Sequence, residues 1–127
     1  STDASFDPRW SPDGRLIAYT LNGELRVIAP DGTGQRIVVP RAAGRPQARF
    51  AVWSRDSRTI YYKAYDDELA SSIWSVAVDG GEPTLLVTFD DPSRVSLRRE
   101  FASDGTRFYF TIAQNDSDIW TIELIER

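Results

Sequence analysis

Three ten-residue segments of this chain follow one pattern. Residues 10–19 read WSPDGRLIAY, residues 53–62 read WSRDSRTIYY and residues 101–110 read FASDGTRFYF. The aromatic residues that open these segments are 43 and 48 positions apart in a sequence of 127 residues. A repeat at this spacing restricts the chain to folds that place copies of one supersecondary unit side by side, because a single unit cannot bury its apolar faces alone.

Further landmarks follow each segment in a constant order. They are ELRVI at 24–28, SIWSV at 72–76 and DIWTI at 118–122, and the first two are followed by APDGTGQRIVV and AVDGGEPTLLV. The strings are rich in β-branched and aromatic residues, and Asp-Gly pairs separate them as hairpin turns. No stretch has sustained helical periodicity. The sequence therefore predicts an all-β chain whose repeats are four-stranded antiparallel sheets.

Four strands in a period of about 40–45 residues are typical of a β-propeller blade. We expect a first blade at about 5–40, a second at about 48–89 and a third at about 96–127. The third lacks its fourth strand, so the prediction is eleven strands in a partial propeller. Closed rings have roughly four to eight blades. Two explanations stay open: a second copy closes a six-bladed ring by homodimerisation, or the missing blades belong to a longer polypeptide.

Packing between blades explains why the pattern repeats. Each aromatic side chain can bury about 150–250 Å². We expect three aligned rings of side chains between the sheets. The first ring is Trp10, Trp53 and Phe101, the second is Ile17, Ile60 and Phe108, and the third is Tyr19, Tyr62 and Phe110. The alternative for these residues is a surface on which ligand bases or sugars stack.

The aspartate of each segment, Asp13, Asp56 or Asp104, recurs in the same predicted turn. A carboxylate there accepts hydrogen bonds from its own turn backbone, which favours a structural role over a catalytic or metal-binding one. Residues 115–118 (NDSD) resemble the start of a calcium loop, but the glycine and the distant glutamate of such a loop are missing.

Composition excludes several kinds of site. The sequence has no Cys and no His, which removes disulfides, thiolate and imidazole metal sites, and Ser-His-Asp or Cys-His catalysis. Its net charge of −4 argues against nucleic acid as a partner. No apolar run is long enough for a membrane helix, so we expect no membrane insertion. We expect no cofactor, no metal and no enzymatic activity in these residues.

The residue pattern of the repeats resembles that of a known family. WSPDGRLIAY followed by ELRVIAPDG, together with SIWSVAVDGG, resembles the WD40-like repeat of bacterial TolB-type propellers. The resemblance implies a periplasmic or otherwise extracytoplasmic, non-catalytic scaffold that binds other proteins. The second blade departs from the pattern, with Arg55 in place of the proline and Ser57 in place of the glycine, so we expect its turn to be less rigid.

Partner binding is expected on the loops at one face of the propeller and at its channel mouth, because binding sites usually lie on loops held by a rigid scaffold. These loops are 21–24, 40–49, 64–72, 89–97 and 113–118. The candidate residues are Arg41, Arg45, Arg49, Asp66, Asp67, Glu68, Asp90, Asp91, Arg98 and Arg99. The alternative is that these charges only solvate loops or bridge neighbouring blades.

Two other functions stay open. Similar repeats form the propeller of prolyl-oligopeptidase-type and dipeptidyl-peptidase-like serine peptidases. The hydrolase part of such enzymes needs a G-x-S-x-G elbow and a His, and this sequence has neither, so the chemistry would lie outside it. A dehydrogenase or lyase built on a propeller channel is the other, but no His or metal cluster supports it.

Overall fold

The computed structural model describes residues 7–68, 70–89, 101–104, 107–113 and 117–123. This part of the chain contains eleven β-strands and no helix, which confirms the all-β prediction. The strands are β1 (Arg9–Trp10), β2 (Ile17–Leu21), β3 (Glu24–Ile28), β4 (Arg36–Val39), β5 (Gln47–Trp53), β6 (Thr59–Tyr65), β7 (Ser71–Ala77), β8 (Thr84–Phe89), β9 (Ala102–Ser103), β10 (Arg107–Ala113) and β11 (Ser117–Glu123).

The strands form three separate antiparallel sheets in chain order. The first blade contains β1 to β4, the second β5 to β8 and the third β9 to β11, and every hydrogen-bonded neighbour is also a neighbour in the sequence. The repeat keeps its register, since Trp10 pairs with Ile17 in the first blade as Trp53 pairs with Ile60 in the second. These sheets of four, four and three strands are the predicted propeller blades.

The first turns of the two complete blades have the same hydrogen bonds. The N–H of Ser11 donates to the carbonyl of Leu16 at 2.8 Å, and the N–H of Ser54 donates to that of Thr59 at 2.9 Å. Gly14 has a φ of 74°, and Ser57 adopts a φ of 62° at the equivalent position. The second turn therefore keeps the geometry of the first, with a non-glycine residue in the left-handed region.

Two apolar clusters hold neighbouring blades together. The first joins the first and second blades, with Ala18, Leu25 and Val27 on one side and Trp53, Ile60 and Tyr62 on the other. The second cluster joins the second and third blades through Phe50, Ile73, Phe89, Phe101 and Phe108. The ring of Phe101 meets those of Phe50 and Phe108 edge to face, at 5.8 and 5.9 Å between centroids.

The predicted rings of side chains are buried between blades but not on the outer face of the first blade. Trp53 and Phe101 are buried, whereas Trp10 is 59% exposed. Ile17 and Tyr19 are half-buried, while their counterparts Ile60 and Tyr62 are buried. Trp10 is therefore not buried between blades within this chain, because no sheet precedes the first blade in the part that the structure describes. The side chain of Phe110 lies outside the described residues.

Candidate functional site

A cleft of about 440 Å³ lies between two loops at one end of the second blade. One wall is the loop that joins β4 to β5, and the other is the start of the loop that joins β6 to β7. The lining residues are Arg41, Ala42, Ala43, Gly44, Arg45, Pro46, Gln47, Asp66 and Asp67. The cleft therefore has both basic and acidic side chains around an open space.

The basic wall is shaped by a tight turn. The N–H of Arg45 donates to the carbonyl of Ala42 at 3.1 Å, and Gly44 has a φ of 77°, which a glycine adopts without steric cost. The turn folds the loop back on itself, so that Arg41 and Arg45 lie on either side of it. Arg41 is exposed and Arg45 is half-buried.

The acidic wall is fixed by Asp66. Its Oδ1 accepts hydrogen bonds from the backbone N–H groups of Glu68 and Ala70, both at 2.9 Å. Its own N–H donates to the carbonyl of Ala70 at 3.0 Å. Such bonds to a carboxylate hold a loop in one conformation. Asp66 therefore shapes the wall, and the exposed Asp67 presents a carboxylate at its edge.

The floor of the cleft is tied to the first blade. The N–H of Ala48 donates to the carbonyl of Gly23 in the β2–β3 turn at 3.0 Å. A Cβ atom on Gly23 would lie 3.0 Å from the Cβ and the Cγ of Gln47. Gln47 in turn accepts a hydrogen bond on Oε1 from Nη2 of Arg49 at 3.0 Å. The lining residue Gln47 is thus held by contacts from two blades.

The charged groups of the cleft are not paired with each other. Nη2 of Arg45 lies 3.7 Å from Oε2 of Glu82, which is almost fully exposed, so this ion pair contributes little to stability. No ion pair joins the two walls of the cleft among the residues described. The two walls therefore hold charges of opposite sign that are not paired with each other, while the Asp66 carboxylate is bonded within its own loop.

The structure brings together four of the ten candidate residues. Arg41, Arg45, Asp66 and Asp67 line one cleft. Arg49 and Glu68 lie next to it in the sequence without lining it. The remaining four, Asp90, Asp91, Arg98 and Arg99, lie outside the described residues. Three of the five predicted loops, 21–24, 40–49 and 64–72, lie close together through the contacts of Gly23, Gln47 and Asp66.

The aspartates of the repeated turns have the predicted structural role. Oδ1 of Asp13 accepts hydrogen bonds from the Ser11 hydroxyl at 2.6 Å and from the N–H of Arg15 at 3.0 Å. Asp56 makes the same two bonds with Ser54 and Arg58. The serine hydroxyl and then the backbone N–H lower the pKa of each carboxyl below its ordinary value. These groups are therefore bonded within their own turns.

Asp104 in the third blade accepts from the N–H of Arg107 at 2.8 Å and, on its other oxygen, from the Tyr109 hydroxyl at 2.8 Å. The hydrogen bond to Asp104 raises the pKa of Tyr109. No group of three or more metal-ligating side chains occurs in the part of the chain that the structure describes. Residues 115 and 116 of the suggested calcium loop fall outside that part.

Two residues of this region, Gln47 and Lys63, are not among those predicted from the sequence. Gln47 lines the cleft, and only its contact with Gly23 in another blade reveals it. Lys63 is fully buried, with Nζ 4.9 Å from the ring centroid of Phe89 and 5.9 Å from that of Tyr65. The run YYKAY contained a signal for the burial of Lys63, since a buried lysine in an apolar strand needs aromatic or polar groups around its ammonium group.

Comparison with solved structures identifies the architecture. A conserved lipoprotein of Clostridium novyi superposes with a TM-score of 0.70 at 10% identity, over 98% of this chain and 90% of that one. A TolB protein of Agrobacterium tumefaciens gives 0.64 at 18% identity, over 93% of this chain and 42% of that one. The β-propeller domain of the Trilobed protease of Pyrococcus furiosus gives a TM-score of 0.58 at 14% identity, over 92% of this chain and 38% of that one.

At these identities the likeness establishes the fold alone. The chain has the architecture of part of a β-propeller and spans less than half the length of the TolB and protease chains that it matches. No protein-family model and no curated protein sequence matches it. The described residues include no helix long and apolar enough to cross a membrane.

Proposed function

We propose that this chain is the blade-forming part of a non-catalytic recognition scaffold, and that the cleft between residues 40–46 and 66–67 binds an extended, charged segment of a protein partner. The observation that carries the proposal is the cleft itself, with two arginines and two aspartates on opposite walls. A segment carrying both charges would satisfy both walls, and its main-chain groups would meet the amide of Gln47.

The rigidity of the walls supports this proposal. Asp66 and the 42–45 turn fix the two loops by backbone hydrogen bonds, and the β2–β3 turn supports the floor. A site fixed before binding loses less conformational entropy when it binds. The likeness to a lipoprotein and to a TolB protein supports an extracytoplasmic location, and within that a periplasmic one, as part of the same proposal.

A peptide-array experiment tests the site. The purified chain is applied to arrays of extended peptides that vary in charge pattern, and affinities of the peptides that bind are measured by fluorescence polarisation. We expect Arg41→Glu with Arg45→Glu to weaken binding of peptides containing acidic residues roughly tenfold or more, since charge reversal removes the attraction and adds repulsion. Asp67→Arg should instead weaken the binding of peptides in which basic residues dominate.

The control is Arg55→Glu with Arg58→Glu. Both residues are exposed in the turn at the opposite end of β5 and β6, so the pair changes the net charge by the same amount away from the cleft. Equal loss of binding in this control would show a general charge effect and contradict the proposed site. Turnover of peptide or ester substrates by the purified chain would contradict the non-catalytic role.

A second candidate rests on the likeness to the propeller domain of the Trilobed protease. In that case the chain would be part of the propeller of a peptidase, and catalytic residues would lie in other parts of the polypeptide, since His and Cys are absent from this sequence. The open reading frame that contains this sequence distinguishes the two candidates, because a hydrolase domain beside it would favour the peptidase.

A further inference from the structure

Four positions of the first blade are more exposed than their counterparts in the second. The pairs are Trp10 and Trp53, Ile17 and Ile60, Tyr19 and Tyr62, and Ile28 and Val76. The tryptophans are 59% and 9% exposed, and in the other three pairs the first member is half-buried where the second is buried. These four side chains of the first blade are called the uncovered patch below.

A fifth pair shows that this difference comes from a missing neighbour rather than from the sequence. Ile37 on β4 and Leu85 on β8 occupy equivalent outer-strand positions, and they are 47% and 46% exposed. Leu85 keeps this exposure although its blade is covered by the first blade. A neighbouring sheet therefore covers the inner three strands and leaves the outer strand open. The uncovered patch lies on β1, β2 and β3, which are the inner three strands of the first blade.

The second blade shows what kind of surface the patch fits. The first blade covers Trp53 with small and β-branched side chains such as Ala18 and Val27, and Nε1 of Trp53 donates to the backbone carbonyl of Arg9 at 2.9 Å. Trp10 is at the equivalent place, so its indole N–H and ring fit the same kind of sheet face with the same kind of carbonyl. The patch therefore resembles the surface of the second blade that a blade of this repeat covers.

We propose that the occupant is the third blade of a second copy, so that two chains close a six-bladed ring about a twofold axis. The third blade is held on one side by Phe101 and Phe108, and no sheet follows it in the described part of the chain. In a head-to-tail pair each third blade meets the uncovered patch of the other copy. Two chains then form two identical contacts, each between a first blade and a third blade.

Charge favours this arrangement over a contact between two identical faces. Residues 1–63 contain ten Lys/Arg and six Asp/Glu, while residues 64–127 contain five and thirteen. The half that contains the uncovered patch is therefore positive, and the half that contains the third blade is negative. Head-to-tail pairing brings opposite charges together, whereas pairing patch to patch brings like charges together. This inference goes beyond the proposed cleft and does not depend on it.

The test is the mass of the chain in solution, measured by light scattering and sedimentation at several protein concentrations. We expect twice the mass of one chain for the wild type. Trp10→Ser should raise the dimer dissociation constant roughly thirtyfold or more, because buried tryptophans dominate interface energies. Ile17→Asp should do the same by placing a charge in the patch. Ile37→Ser is the matched control and should leave the dimer intact.

Three results would overturn the proposal. The first is a monomeric wild type at every concentration. The second is a dimer that survives both patch variants while their circular dichroism shows folded sheets. The third uses Ile17→Cys in a chain that otherwise has no cysteine: disulfide-linked dimers through Cys at 17 would place two patches face to face and exclude head-to-tail pairing.

Discussion

At the residue scale, the repeated turn shows how a short sequence sets a local structure. A serine hydroxyl donates to the carboxylate two residues on and accepts from a backbone N–H five residues on, as in Ser11 and Ser54. These bonds all lie within one turn and involve no residue of another blade. The turns also meet each other, since Oγ of Ser57 accepts from the N–H of Asp13 at 3.1 Å.

Ser57 combines a strained backbone with a useful side chain, and two substitutions separate them. Ser57→Ala loses the bond from Asp13 and keeps the strain, so we expect a loss of about 1 kcal/mol in the free energy of unfolding. Ser57→Gly loses the same bond but relieves about 1 kcal/mol of left-handed strain, so it should match the wild type. Urea denaturation measures both, and equal stability of the two variants would contradict the strain.

The turn carboxylates predict a pH dependence of stability. The hydrogen bonds from Ser54 and Arg58 hold the pKa of Asp56 in the folded chain below its ordinary value of 3.8. A depressed folded pKa gives stability that is complete above the ordinary pKa and is lost as pH falls through the folded pKa. We expect Asp56→Asn to lower the urea midpoint near neutral pH and this difference to shrink below pH 3.8.

The control for this prediction is Asp79→Asn, which removes an exposed carboxylate from the β7–β8 turn. Its midpoint should follow that of the wild type over the whole range. A difference between wild type and Asp56→Asn that stays constant with pH would mean that geometry, and not charge, links the carboxylate to stability.

At the scale of the elements, the interface between the first and second blades joins a face of large side chains to a face of smaller ones. Tyr62 stacks on Trp74 within the second blade, with ring planes 9° apart, and this broad surface meets Ala18 and Val27 of the first blade. Burial raises the pKa of the Tyr62 hydroxyl. The β2–β3 hairpin adds a second contact by placing Gly23 against Gln47.

Gly23 predicts a measurable contact between the blades. Gly23→Ala must adopt a positive φ and push Gln47 away, whereas Gly32→Ala has a positive φ but open space around its Cβ. We expect about 1 kcal/mol of destabilisation for Gly32→Ala and roughly 1 kcal/mol or more beyond that for Gly23→Ala. Urea denaturation measures both. Equal losses would show that Gln47 yields without cost and that the hairpin does not support the cleft floor.

At the scale of the whole molecule, the three blades form two interfaces, and the apolar outer face of the first blade is left uncovered in the described part of the chain. Trp10 lies on that face, and a protein that exposes such a side chain in a contiguous apolar patch usually covers it with a partner. The cleft lies on loops at one end of the second blade, and the uncovered patch lies on the outer face of the first. The proposed binding site and the proposed assembly contact therefore lie on different surfaces.

Assembly predicts that thermal stability depends on protein concentration. If the dimer is the folded form, dissociation accompanies unfolding, so the midpoint temperature of the wild type should rise as the chain is concentrated. The midpoint of Trp10→Ser should be lower and should not change with concentration. Calorimetry over a wide concentration range measures this, and a wild-type midpoint that does not move would contradict a dimer coupled to folding.

The sequence alone determined the repeat, the strand order within each sheet and the role of the turn aspartates, because these depend on contacts between residues close in the chain. Asp13 bonds to Ser11 and Arg15 wherever its blade lies. Only the tertiary structure decided that Trp10 is exposed while Trp53 is buried, because a neighbouring sheet covers one tryptophan and not the other. It also decided that Arg41, Gln47 and Asp66 share one cleft, because that requires two loops separated by two strands to meet.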